Sequence, residues 1–109
     1  MNITIDMPGG GPRRYPRAAG PFSARRLEGR SVNPVEVLGL AVGGCFIKAP
    51  KRQEVGHVCS LTIDLGQEGS VDVFATTLYH QTEGSAVTFF NLDESAFEKI
   101  RRTVDKTLS

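Results

Sequence analysis

The chain has 109 residues, enough for one domain with one core and too few for two. Thirteen Lys and Arg against 12 Asp and Glu leave a net charge of +1, which excludes a nucleic-acid polyelectrolyte and confines any basic character to a local patch. No apolar run approaches the roughly 20 residues of a membrane helix, and residues 1–7 lack the charged start and apolar stretch of a signal peptide, so a cytoplasmic location without membrane insertion is expected.

Residues 1–12 end in Pro8-Gly9-Gly10-Gly11-Pro12, which supports neither a helix nor a central strand and reads as a flexible lead-in to a domain spanning 13–109. Arg13-Arg14-Tyr15-Pro16-Arg17 follows, and Pro16 biases Tyr15 toward an extended conformation, so this cluster is an arm and not a helical face. A first strand is expected over Pro21–Leu27, where Phe22, Ala24 and Arg26 alternate with Ser23, Arg25 and Leu27. The apolar run Val35–Val42 closes on a turn at Gly43-Gly44, and Cys45-Phe46-Ile47 continues beyond it. His57–Leu65 places Cys59, Leu61, Ile63 and Leu65 on one face and Ser60, Thr62 and Asp64 on a wet one. Gly66–Gly69 turns the chain into Val71–Tyr79, and Glu83-Gly84-Ser85 turns it into Ala86–Phe90.

The period then changes. Phe97, Ile100, Val104 and Leu108 form one stripe of a helix, with Asn91 or Asp93 as its cap and Lys99, Arg101, Arg102 and Lys106 toward its C-terminal half. Five or six short strands spaced by glycine turns suggest a sandwich or barrel, and the architecture taken forward is mainly β: a small, six-stranded antiparallel barrel with a C-terminal α-helix over one opening or face.

Catalytic chemistry finds no carrier. No histidine stands beside a nucleophile in a recognisable arrangement, and no phosphate-binding loop joins a strand to a helix, so the chain is read as a non-enzyme. Cys45 and Cys59 lie singly in strand-like apolar runs, which points to buried, reduced thiols and not to a metal site or disulfide. His57 and His80 are strand-end or surface residues. The arginine arm remains. On an extended chain Arg13 and Arg17 face one side, about 13 Å apart at roughly 3.3 Å per residue. The guanidinium fork bonds bidentately to phosphate or to the O6/N7 edge of guanine, and its flat face stacks on a base. Arg14 points the other way.

The arm resembles the RxxxR motif that opens PilZ domains. The second motif of that family, D/N-x-S-x-x-G, finds its counterpart in Gly39-Leu40-Ala41-Val42-Gly43-Gly44, and Gly84–Glu94 resembles the family's last strand leading into its helix. The likeness runs from residue 13 to the end. It implies a receptor for cyclic di-GMP, a bacterial second messenger, with no cofactor or metal beyond that ligand. Arg13 and Arg17 would wrap the ligand with Arg14 in reserve, and Gly39, Ala41, Gly43 and Gly44 would form the closing segment. A protein effector downstream is implied, nucleic acid is not expected as a partner, and homodimer formation is left open.

Two positions depart from the pattern. Gly39 stands in place of Asp or Asn and Ala41 in place of Ser, so neither side chain can donate or accept a hydrogen bond. The two lost contacts correspond to about 2–4 kcal/mol, or roughly 30- to 1000-fold in affinity. The alternative is therefore a degenerate PilZ domain that acts as a protein-interaction module.

Overall fold

The computed structural model describes residues 17–108. The expected lead-in, together with Arg13 and Arg14, lies outside the described residues. Six strands, β1 (Ala18–Glu28), β2 (Ser31–Ala41), β3 (Gly44–Lys48), β4 (Val58–Asp64), β5 (Ser70–His80) and β6 (Ser85–Phe90), precede one helix, α1 (Glu94–Leu108). The strands close into an antiparallel barrel in the order β1-β2-β3-β6-β5-β4. The barrel and helix anticipated from the alternating pattern are both present.

The strands are longer than the apolar runs that mark them. β1 begins three residues before Pro21 because a bulge accommodates the proline: Ala19 pairs with Gly39, the ladder skips, and Phe22 pairs with Val37. At this bulge the two backbones come so close that a Cβ on Gly20 would sit 2.1 Å from the Val37 carbonyl oxygen. β2 likewise starts at Ser31, upstream of its apolar stretch, after a two-residue turn in which Gly29 takes φ +60°. The second turn falls on Val42-Gly43 and not on the glycine pair, so Gly44 already belongs to β3, opposite Ala41.

Alternation fills the barrel with Val35, Val37, Leu40, Cys45, Ile47, Cys59, Leu61, Ile63, Val71, Val73, Ala75 and Val87. Both cysteines are free and buried, as expected. Burial pushes both thiols up, most strongly Cys45, which keeps them in the unreactive protonated form. His57 is exposed just ahead of β4, and His80 ends β5 with Nδ1 2.7 Å from Ser85 Oγ.

Each mouth of the barrel is closed differently. At the end where β2 and β6 finish, α1 lies across the opening and sends Ala96, Ile100 and Val104 into the core. The helix stripe is thus rotated from the expected one, since Phe97 is 39% exposed and Thr103 is buried in its stead. Asp93 is the cap, its Oδ1 accepting from Ala96 N at 2.7 Å, whereas Asn91 makes the left-handed bend before it, at φ 54°. The basic residues of α1 do more than complement its dipole. Arg102 and Lys106 grip Glu68 on the β4–β5 connection at 2.9 and 2.8 Å.

At the other mouth, β3 and β4 stand on opposite sides of the barrel, so residues 49–57 must cross the opening. Arg26 points inward there and is 2% exposed. Its Nε bonds to Glu28 Oε2 at 2.6 Å and its Nη2 to the crossing chain at the Lys51 carbonyl, also at 2.6 Å. The Arg52 guanidinium donates to the Gln81 and Thr82 carbonyls, fastening the same crossing to the β5–β6 turn. Among the described residues no buried side-chain nitrogen or oxygen lacks a partner.

Two outcomes follow from these closures. Arg26→Ala removes a buried guanidinium and orphans the Lys51 carbonyl, and chemical denaturation should show a loss of about 2–3 kcal/mol. Hydrogen bonds from Lys106 and then Arg102 hold the Glu68 carboxyl well below its ordinary 4.5, at about 2. A lowered carboxyl contributes stability that is fully present above pH 4.5 and is lost as pH falls toward 2. Thermal melts across that window should therefore show a steeper acid loss for the wild type than for Glu68→Gln.

Candidate functional site

The antiparallel register of β1 on β2 decides what stands next to Arg17, the last residue of the arginine cluster. Ala18 pairs with Leu40 and Ala19 with Gly39. Carrying the ladder one residue further back puts Arg17 level with Ala41. Arg17, half-buried and immediately ahead of β1, therefore stands next to the ladder in which Ala18 and Ala19 pair with Leu40 and Gly39.

On the other side of β2, Gly39 pairs with Phe46 and Ala41 with Gly44. Leu40 faces the core, so Gly39 and Ala41 are turned outward on the barrel wall. Both are nonetheless buried, with Ala41 only 4% exposed. The wall beside them is apolar. Phe46, also outward and 1% exposed, packs with Ala86 under Leu38, Leu78 and Tyr79. Among the described residues, a Cβ at Gly39 would have the Ala18 carbonyl oxygen alone within reach, at 4.0 Å, an ordinary contact for its first side-chain atom.

The turn that carries Gly43 is held from a third strand. The Gly43 carbonyl accepts from Phe89 N at 2.9 Å and from Thr88 Oγ1 at 3.2 Å, and Gly44 pairs with Thr88. Five of the seven residues singled out in the sequence, Arg17, Gly39, Ala41, Gly43 and Gly44, thus gather at the helix-covered end of the barrel. Thr88 and Phe46 join them unforeseen. Neither carries a sequence signal, because cross-strand neighbours depend on register. The described residues contain no group of three or more His, Cys, Asp or Glu side chains able to hold a metal ion. Nor do they contain a helix long and apolar enough to cross a membrane.

The family model for the PilZ domain matches residues 12–106. The chain belongs to the PilZ domain family. Its backbone superposes on the PilZ domain with c-di-GMP of YcgR from Escherichia coli with a TM-score of 0.71 at 17% identity, covering 90% of this chain and 92% of that one. It is similar as well to the Bacillus subtilis inhibitor of motility MotI/DgrA, with a TM-score of 0.73 and 13% identity over 88% of this chain and 50% of the other. For MrkH of K. pneumonia the values are 0.70 and 12%, over 90% and 49%. The chain therefore spans about half the length of the MotI and MrkH chains, and nearly all of the isolated YcgR domain. No curated protein sequence matches it.

The two glycines of the β1–β2 ladder are expected to behave in opposite ways. Gly20→Ala forces a methyl into the Val37 carbonyl and should destabilise the domain by about 3 kcal/mol or more. Gly39→Ala brings its methyl no closer than ordinary contact to the described residues and should change stability by less than about 1 kcal/mol in the same urea titration.

Proposed function

We propose that this PilZ domain is a non-enzymatic, cytoplasmic receptor or adaptor for cyclic di-GMP in bacterial second-messenger signalling. Arg13 and Arg17 grip the ligand, Arg14 stands as an additional contact, and Gly39, Ala41, Gly43 and Gly44 provide the opposing backbone. The single observation that supports this reading is the β1–β2 register, Ala18 opposite Leu40 and Ala19 opposite Gly39, which continued by one residue would set Arg17 beside Ala41. The likeness to a PilZ domain bound to c-di-GMP supports the ligand class. Phosphates and guanine edges are what paired guanidinium groups recognise. Ligand capture on the arm changes the surface offered to a protein effector, and no cofactor is needed.

A second reading has its own observation. Gly39 and Ala41 bring no polar side-chain atom to the site, which favours a PilZ domain that binds the dinucleotide weakly or not at all and works through protein contacts. The clearance at Gly39 makes the two readings separable, because the family's residues can be restored there without a clash at the first side-chain atom.

Calorimetric titration with cyclic di-GMP is the test. The receptor reading expects saturable heat for the wild type and its loss in both Arg13→Ala and Arg17→Ala. The doubly restored variant, Gly39→Asp with Ala41→Ser, should then bind about 30- to 1000-fold more tightly. No heat from the wild type at near-millimolar ligand overturns the receptor reading. Binding that appears only in the restored variant supports the interaction module.

A further inference from the structure

The barrel wall formed by β1, β4 and β5 carries an exposed pattern that the ligand site does not use. Side chains of these strands alternate in and out, and the register fixes which outward residues stand level. Leu27 of β1 pairs with Ser60 of β4, which pairs with Phe74 of β5. One step along, Arg25 pairs with Thr62, which pairs with Asp72. Leu27 and Phe74 are 47% and 50% exposed, large values for apolar side chains, and Val58 at the start of β4 is 52% exposed. Phe74 is propped by Phe90, their rings stacked with centroids 5.8 Å apart, so it stands as a firm and not a floppy apolar surface. Arg25 and Asp72 are both exposed, and Asp72 is oriented by the Thr62 hydroxyl, which donates to its Oδ1 at 2.6 Å.

This pattern is complementary to itself. A two-fold axis running along β4 and lying in the plane of contact exchanges the β1 side of the wall with the β5 side. Leu27 then meets the partner's Phe74, Arg25 meets the partner's Asp72, and Val58 meets its own copy on the axis. Leu27, Phe74 and Val58 thus find apolar partners, and Arg25 and Asp72 find opposite charges, as an isologous contact requires. Barrel curvature is allowed for by residue size. β4, at the crest, carries the small Ser60 and Thr62, while the long side chains sit on the flanks and reach past the crest. The contact ends at Asp64, whose carboxylate would face its copy across the axis.

We propose that this wall is a self-association surface and that its occupant is a second copy of this chain. Three strands about 4.8 Å apart and roughly four residues deep cover a few hundred Å² per protomer, well under the ~800 Å² of a standard stable interface. The dimer is accordingly transient, forming in the range of about 0.1–1 mM. It lies away from the Gly39–Gly44 segment and does not depend on ligand binding.

Two measurements on the full chain test it. In NMR dilution from about 1 mM to about 20 µM, amide shifts should move with concentration at Leu27, Val58, Ser60, Thr62, Asp72 and Phe74, and not at Gly39–Ala41 or on β3. In sedimentation velocity over the same range, Arg25→Asp and Asp72→Arg should each weaken association at least tenfold, and the double exchange should return it to within about threefold of wild type. A wild type that stays monomeric at 1 mM overturns the proposal. So does a double exchange that folds but fails to restore association, or a set of shifts independent of concentration, as coverage by the chain's own residues 1–7 would give.

Discussion

The pairing of β1 on β2 is the constraint on which the rest of the molecule depends. These two strands form the longest ladder in the barrel, and their ladder is interrupted at Gly20-Pro21, where the backbones touch too closely for any side chain at position 20. The bulge allows a proline within a continuous strand. Beyond it the register is fixed, and with it the alignment of Ala18 with Leu40 and Ala19 with Gly39. A one-residue slip would turn Leu40 out of the core and Gly39 into it. Core packing therefore protects the place of Arg17 next to the Gly39–Gly44 segment, although no side chain of that segment contributes a polar contact of its own.

A closed barrel has no free edge, but it has two mouths, and their closures divide the labour of the domain. The helix covers one with an apolar stripe and locks its last turns to Glu68 through Arg102 and Lys106. The other is crossed by residues 49–57 and stoppered by the inward guanidinium of Arg26, satisfied by Glu28 and the Lys51 carbonyl. A charged stopper is tolerable only because each of its hydrogen bonds has a fixed partner. The candidate site lies at the helix end, built on a turn that β6 holds through Thr88 and Phe89. Its backbone scaffold is thus fixed by strand pairing and by the hydrogen bonds to the Gly43 carbonyl.

What the sequence determined by itself was everything local. Alternating apolar residues, glycine turns and a late change of period were enough for five or six strands, a sandwich or barrel, and a terminal helix, since periodicities of 2 and 3.6 are set by backbone geometry alone. The motif residues at Gly39–Gly44 were also legible, because they are contiguous. Strand ends were not. Polar and proline residues at Ala18–Pro21 and Ser31–Pro34 conceal strands that cross-strand pairing completes. On the helix, Ile100 and Val104 face the core as their spacing predicts, but Phe97 lies outside and Ala96 and Thr103 inside, because the orientation of α1 is dictated by the mouth it covers and by its grip on Glu68. Arg26 read as a strand residue like its neighbours; only closure of the barrel made it a buried stopper. The pairing of Leu27 with Phe74 and Arg25 with Asp72 about β4 has no trace in the linear chain either. Register and closure are long-range properties, and only the tertiary structure decided them.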